Sequence, residues 1–522
     1  MKKRIILSLI LALFCTIGFW CDNSCESRLW TLGIIFIISF VFVMFSIQIL
    51  YVVFNRFDMK ISIKAMLVFI IIEWLIYITL CYPASSIPFD SFYMIDEIYG
   101  FYPKTNAHPF LSVMLIGYAM KIGTFLENNN LGIFIYILFQ TGIFYLGLIQ
   151  NVFLMKKWDV KDRFIKLMLV LYIILPVYFI FCAVDRKDVL YSAFILLYTG
   201  VFTNEIKSLK VKIIDLNFLM MNFYGLLCVL LRHNGLAIVL ISQIFLIVYN
   251  IAKKCNTNLK RNIYTFISVL FLYMLFNKVV YPQLGVGEIE HYRSYATMNS
   301  LRFQQTAAYI DKHSDELESN EVDLINKMFR GGVERIRDYQ KDNGDYMMLL
   351  TYFDRESYIE REYNKFWFKS MLKDPFVYFK AHMEYVYRYY YPFSISDNSL
   401  FTISTGYANT GEFNIFRSKF SNRFCSYMNN IFWGVAKIPI IKAVLSPAFY
   451  MWIFMGLLIW SILSKNAKCL IALGIPFVQI IINLMGLLPV NGALHYAYSF
   501  IILMPFLLAF ILNEREETLN EI

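Results

Sequence analysis

The sequence predicts an all-α integral membrane protein, and three observations carry that expectation. Of its 522 residues, 58% are hydrophobic and only 16% are charged, far less charge than a soluble chain of this length spreads over its surface. The apolar residues come in long runs instead of amphipathic stripes, and a helix needs roughly 20 of them to cross the hydrocarbon core. Lysine and arginine collect in the short stretches between the runs, as the positive-inside rule expects. Lipid offers the backbone no hydrogen-bond partner, so each run is read as a helix.

About twelve such runs are present, near 4–20, 29–54, 63–82, 131–155, 164–183, 188–203, 212–230, 235–251, 262–280, 442–463, 467–488 and 494–512. Met1–Arg4 followed by an apolar run has the look of a secretory signal, but no small-residue cleavage site follows Phe19. The run is therefore taken as the first span. The net charge of +10 would suit a nucleic-acid binder, but its confinement to loops argues against nucleic acid. Most of the nine cysteines fall inside runs, and none has zinc-site spacing. Cys21 and Cys25 share the first outer loop, as a disulfide or as free thiols. Richness in Ile, Lys, Phe, Tyr and Asn fits a bacterium with an AT-rich genome.

Charge then sets an expected topology. With Met1–Arg4 inside, Arg56, Lys60 and Lys64 follow inside and 84–106 lies outside. If the apolar segment 108–126 crossed, the basic loop from Lys156 to Arg163 would be outside. Laid along the outer interface as a monotopic helix, it leaves that loop inside, with Lys207, Lys210, Lys212, Lys253, Lys254, Lys260, Arg261, Lys465 and Lys468. Both termini are then cytoplasmic. Residues 281–439 hold nearly half of the charged residues and no long apolar run. They read as a mostly helical extracytoplasmic domain, with 366–391 skimming the membrane. Val322, Ile325, Met328 and Phe329 have helical spacing there. The chain thus divides into an N-terminal transmembrane region (1–280) with a first outer loop at 83–130, the outer domain (281–439), and a C-terminal transmembrane region and cytoplasmic tail (440–522).

Five polar clusters all fall at the outer surface in this topology: Asp90-Ser91 with Asp96-Glu97; Asn106 to Pro109; Asp185-Arg186-Lys187-Asp188; Arg232-His233-Asn234-Gly235; and Asn491 to Tyr496. Each has an ordinary explanation alone. Asp90 can be a solvated loop carboxylate, Lys187-Asp188 a helix start, Arg232 a snorkelling anchor, and His495-Tyr496 part of an aromatic belt. Together they place carboxylates beside Lys, Arg and His in very short loops, where ionisable groups are functional candidates. One free carboxylate among cations suits an anionic, lipid-linked substrate: the carboxylate as base, the cations holding a phosphate leaving group.

These residues resemble a known pattern. Glycosyltransferases of the GT-C superfamily use lipid-linked sugars and include protein O-mannosyltransferases and aminoarabinose transferases. They have a multi-span core whose first large outer loop carries an essential Asp over interfacial helices. Tyr82-Pro83 through Asp90-Ser91, then His108-Pro109, are similar to that loop. The chain resembles more closely a family of bacterial multi-pass proteins of poorly assigned function, over about 80–512. Tyr82-Pro83-Ala84, Asp90-Ser91, His108-Pro109, Lys187-Asp188, Arg232 to Gly235, Gln304-Gln305 and 394–397 carry that resemblance. Ala84 stands where that pattern has glycine, His233 where it has asparagine, and His495 where it has arginine.

The resemblance implies a glycosyltransferase working at the outer face. It would move a sugar from a polyprenyl phosphate or pyrophosphate donor to a cell-envelope glycan, a lipid-linked oligosaccharide or a protein. Asp90 is the expected base, with Asp96 in reserve. Lys187, Arg232 and His495 are the expected phosphate contacts, and His108, Asp188, Asn234, Gln304 and Tyr496 complete the substrate-binding set. A divalent metal (Mg or Mn) stays open, since the carboxylates lack a ligand spacing. The rivals are a repeat-unit polymerase for capsule or exopolysaccharide and a transporter or flippase of lipid-linked glycans. The latter usually shows internal repeats or mid-span charges; Glu73 is the main such charge here.

Overall fold

The computed structural model describes residues 2–520 apart from 24, 26, 57–58, 209–211, 289–290, 353–355, 396–399, 405–412 and 487–491. Lys210, Ser396, Asp397 and Asn491 of the sequence patterns therefore lie outside the described residues. Everything described is helix, turn or loop, with isolated bridges and no strand among the described residues.

Eight helices are long and apolar enough to cross a membrane: Arg4–Asp22, Leu29–Ile49, Ile63–Leu80, Asn129–Lys157, Lys187–Lys207, His233–Lys253, Asn256–Gln283 and Leu494–Glu516. The chain is a membrane protein by that measure, but the expected twelve spans are not all matched. Two of the missing runs are bent pairs. Asp162–Ile174 meets Pro176–Cys182 at 61°, and Pro439–Leu445 meets Pro447–Leu463 at 74°. A proline drives the preceding residue out of the helical region; Leu175 (φ −89°, ψ 113°) and Ser446 (φ −84°, ψ 149°) are both extended. Counting each pair as one span gives up to ten. The other two are Leu216–Leu231, with 16 residues, and a run split into Ala467–Ala472 and Gly474–Leu484.

Broken helices release backbone carbonyls, which lipid cannot satisfy. The bundle supplies side chains instead. Gln140 Nε2 donates to the carbonyls of Cys182 (3.1 Å) and Val184 (2.8 Å) just past the first bend. Pro505 has no N–H to give the carbonyl of Ile501; the Tyr178 hydroxyl donates to that oxygen at 3.2 Å, and Tyr172 to the next, Ile502, at 2.6 Å.

The loops sort to two ends of the bundle. At one end, Trp158 Nε1 donates to Asn204 (3.1 Å), Arg261 pairs with Glu205 and Asp215 (2.9 Å each), and Lys161 and Arg163 meet Glu516. At the other end, the Ser85 N–H donates to Ala183 O (2.7 Å) and the Ile87 N–H to Thr402 O (3.1 Å). Asn129 there reaches Phe413 O (2.8 Å). Helix Phe110–Phe125 begins and finishes at this second end. Asn106, before it, bonds Asn277 at 2.9 Å, and Asn129, after it, bonds Phe413.

The segment 281–439 divides in two. Residues 296–378 bury a core of their own around Phe303, Ile310, Met328, Phe329 and Tyr363. Tyr385 to Tyr391 join the core of the transmembrane bundle instead. Cys21 and Cys25 are free thiols, with Cys21 Sγ 3.8 Å from the Tyr390 hydroxyl.

Candidate functional site

The second end gathers the polar clusters. Loop 84–88 is held between two neighbours: Asp185 N–H donates to Ser86 O (2.9 Å), Ser404 N–H to Ile87 O (2.9 Å), and Arg417 binds the carbonyls of Ala84 and Ser85. Pro88 then starts helix Phe89–Tyr99, with Asp90 in its first turn, where a negative charge meets the positive helix end. Ser91 Oγ donates to Asp185 O at 3.0 Å. Asp90 is thereby fixed against the start of helix Lys187–Lys207.

The result is a three-residue contact. Lys187 Nζ donates to Asp90 Oδ2 at 2.9 Å and lies 2.8 Å from His108 Nδ1. A protonated Lys187 has nothing to accept with, so a neutral His108 accepts at Nδ1 and carries its proton on Nε2. The Asp90 side chain is 52% exposed and that of Lys187 17%. Burial works against the Asp90 charge, but the Lys187 ammonium, with His108 and Arg186 near it, holds the carboxyl far below the usual carboxylate range.

Beside this lies a second, closed pair. Arg232 forms an ion pair with Asp188, both buried. Its guanidinium stands 5.6 Å from the centre of the Tyr191 ring and 5.4 Å from that of Tyr496, distances at which cation–π attraction operates. Gly235 allows the turn that delivers Arg232: a Cβ there would sit 2.2 Å from Cys228 O. His233 Nε2 approaches Ala107 O at 3.4 Å, and Ser112 Oγ donates to Leu231 O at 3.1 Å, tying this turn to the His108 loop. His495 is within electrostatic reach of Arg186, Arg232, Asp90 and Lys187, and its ring lies 4.1 Å from that of Tyr496. Asn234 is half-buried at the edge of the same turn.

Several of the expected site residues have surroundings of their own. Arg232, expected as a phosphate contact, is paired with Asp188 inside the protein. Asp96 is fully buried, unlike Asp90, because it lies on the packed side of helix Phe89–Tyr99. Gln304 is also buried. Its amide donates to Asn343 O at 2.8 Å, and Gln305 is likewise spent on Tyr378 O (3.3 Å) and Trp367 Nε1 (3.1 Å). Among the described residues, no group of three or more His, Cys, Asp or Glu side chains could hold a metal ion.

The loop that Gln304 holds brings a residue the sequence did not mark. Asn343 Oδ1 accepts from the Asp345 N–H at 3.1 Å, fixing the start of helix Gly344–Leu350. Neighbouring Asp342 pairs with Arg388 at 2.6 Å, and Arg388 packs on Gly492 so closely that a Cβ there would lie 2.2 Å from Arg388 Cβ. Gly492 leads into His495 and Tyr496. Asp345 thus arrives within electrostatic reach of both Asp90 and Tyr496. Burial, and then the Asp90 charge, raise its carboxyl above the usual value. Asp185, which the sequence placed in a polar cluster without a role, has no exposed surface, and burial pushes its carboxyl up to about 8.

The arrangement presents one half-exposed carboxylate held by a lysine, a second carboxyl that resists ionisation, and cations around both. No curated protein and no solved structure matches the chain. Residues 102–521 match a family of unknown function, DUF6020. That match takes in most of the chain, including His108, Lys187, Arg232, Asp345 and His495, and the chain belongs to that family.

Proposed function

We propose that this protein is a GT-C-like membrane glycosyltransferase, with its site on the extracytoplasmic face. The donor is a sugar on a polyprenyl phosphate or pyrophosphate; the acceptor is a cell-envelope glycan, a lipid-linked oligosaccharide or a protein. The observation that supports it is the Asp90–Lys187–His108 contact at an open helix start. Helix Phe110–Phe125, starting and finishing at that same end, suits an interfacial position beneath the site.

In the reading we favour, Lys187 is the switch. With no donor it neutralises Asp90. A donor phosphate draws the ammonium away, and Asp90 regains basicity when its nearest cation turns to the phosphate. The acceptor hydroxyl then gives its proton to Asp90 and its oxygen to the anomeric carbon. The bond from that carbon to the phosphate oxygen breaks, and the phosphate leaves with Lys187 beside it and Arg186 within reach. His108 orients Lys187. Asp345, reluctant to ionise, is suited to hydrogen-bonding an acceptor hydroxyl. The Asp188–Arg232 pair and its two tyrosines form the wall.

The test compares envelope glycans of cells lacking the protein with cells complemented by wild type or Asp90→Asn. Loss of one sugar in the deletion, restored by wild type and not by a normally inserted Asp90→Asn, is the expected result. Loss of a general base lowers the rate by about 10²–10⁴. Full restoration by Asp90→Asn would remove the reading's main support. Accumulation of single, unpolymerised repeat units would identify a polymerase instead.

A further inference from the structure

The chain has no Asp or Glu between Phe413 and Asn513, yet carries Arg417, Lys419, Arg423, Lys437 and Lys442 at the start of that stretch. The structure places the first of these cations at the Asp90 end, where Arg417 binds the carbonyls of Ala84 and Ser85. Helix Lys419–Val435 follows at once. It has three distinct faces. Ser421, Cys425 and Phe432 are buried against the protein, with the Phe432 ring 6.3 Å from Phe401. Phe420, Tyr427 and Ile431, at i, i+7 and i+11, form a second, apolar stripe that is exposed. Lys419 and Arg423 lie on the adjoining stripe, both exposed. Ile438 and Ile440 extend the bare apolar surface, and Lys437 beside them is exposed too. Among the described residues, no carboxylate pairs with Lys419, Arg423 or Lys437.

We infer that helix Lys419–Val435 lies in the membrane interface and binds the headgroups of anionic phospholipids. An apolar stripe bordered by unpaired cations is the pattern of a helix lying in that plane. A water-exposed surface gains nothing from Phe420 and Tyr427, and a span would not carry the cations. The chain leaves the helix directly for the bent pair Pro439–Leu445 and Pro447–Leu463, so the helix is tethered at membrane depth. Zwitterionic lipid satisfies the apolar stripe alone; the cations select a net negative headgroup. Because Arg417 sits just before the helix and grips loop 84–88, lipid contact here also steadies the loop that leads to Asp90.

The inference goes beyond the transferase reading and is tested without an activity. The full chain, with Cys25 and Cys255 replaced by serine, carries a fluorophore at Asn430→Cys and is reconstituted in phosphatidylcholine vesicles. A fixed fraction of the lipid is either brominated phosphatidylglycerol or brominated phosphatidylcholine. Both should quench, and phosphatidylglycerol should quench more. The excess should shrink in Lys419→Gln/Arg423→Gln/Lys437→Gln, by up to roughly fivefold in local enrichment for each cation removed. High salt should shrink it in the unaltered helix as well, a measurement independent of how the triple variant folds. Equal quenching by the two lipids would overturn the anionic preference. No quenching by either would mean that protein, such as a second copy of this chain, covers the stripe. Asp90→Asn should leave the excess unchanged, so failure of the transferase reading and failure of this one are separable.

Discussion

Asp188 and Arg232 are buried together, and that fixes what their substitution does. Removing one partner strands the other charge away from water, which typically costs about 3–5 kcal/mol. Arg232→Ala is therefore expected to lower the thermal stability of the purified protein strongly, and Arg232→Met with Asp188→Leu to recover most of it. A double variant no more stable than Arg232→Ala would show that the pair is not the reason. Asp185 gives a pH signature. Its carboxyl is raised to about 8 in the folded protein, against about 3.9 when unfolded. Between those values the folded state holds a proton that the unfolded state has lost, so stability falls as pH rises and levels off above about 8. Asp185→Asn should flatten that fall in a melting series from pH 5 to 8; an unchanged slope would assign it elsewhere. At this scale the sequence showed which residues are ionisable and which loops hold them. It marked Asp90, Lys187 and His108 because short loops leave such groups little freedom. It did not show that Arg232 spends its charge on Asp188, since that depends on how two helix starts face each other. Asp345 was hidden for a similar reason: it is one acid among many in a polar domain, and only the Gln304–Asn343 and Asp342–Arg388 contacts carry it to the site.

Helices were legible as apolar runs, but hydropathy is blind to bends. Residues 164–183 and 442–463 read as single spans because Pro176 and Pro447 are themselves compatible with an apolar run. The extended residue before each proline breaks the direction while leaving composition untouched. The compensating side chains were in the sequence too, as Gln140 within an apolar run and Tyr172 and Tyr178 near Pro176, yet nothing local linked them to distant carbonyls. Their function makes them testable. Gln140→Leu removes two bonds, one to the Cys182 carbonyl and one to that of Val184, which keep Thr141 and the Arg186 N–H as donors, at a cost of about 0.5–1.5 kcal/mol for each bond lost. Tyr178→Phe removes one bond to Ile501 and should cost less, about 0.5–1.5 kcal/mol. Because Val184 adjoins Asp185 to Asp188, Gln140→Leu should also disturb the Lys187–Asp90 contact, whereas Tyr178→Phe should not. If Tyr178→Phe proves the more damaging of the two, the assignment of these roles is wrong.

Across the whole molecule, the described loops fall into two sets. Residues 158–163, 204–205, 215, 261 and 513–516 meet at one end. Residues 84–90, 105–108, 183–188, 231–235, 402–404 and 413–417 meet at the other. The sequence predicts a partition of this kind because lysine and arginine respond to the membrane potential and the insertion machinery loop by loop. It could not give the number of spans, which depends on bends and short helices inside the bundle. The proposed function adds an orientation, in which the end holding Asp90 faces outward. Impermeant thiol labelling of intact cells tests that claim most directly, with Cys25 and Cys255 replaced by serine and one new cysteine at Lys104 or at Lys157. The account expects Lys104→Cys to label in intact cells, and Lys157→Cys only after the membrane is opened. Labelling of Lys157→Cys but not Lys104→Cys in intact cells would put the Asp90 site in the cytoplasm and contradict it.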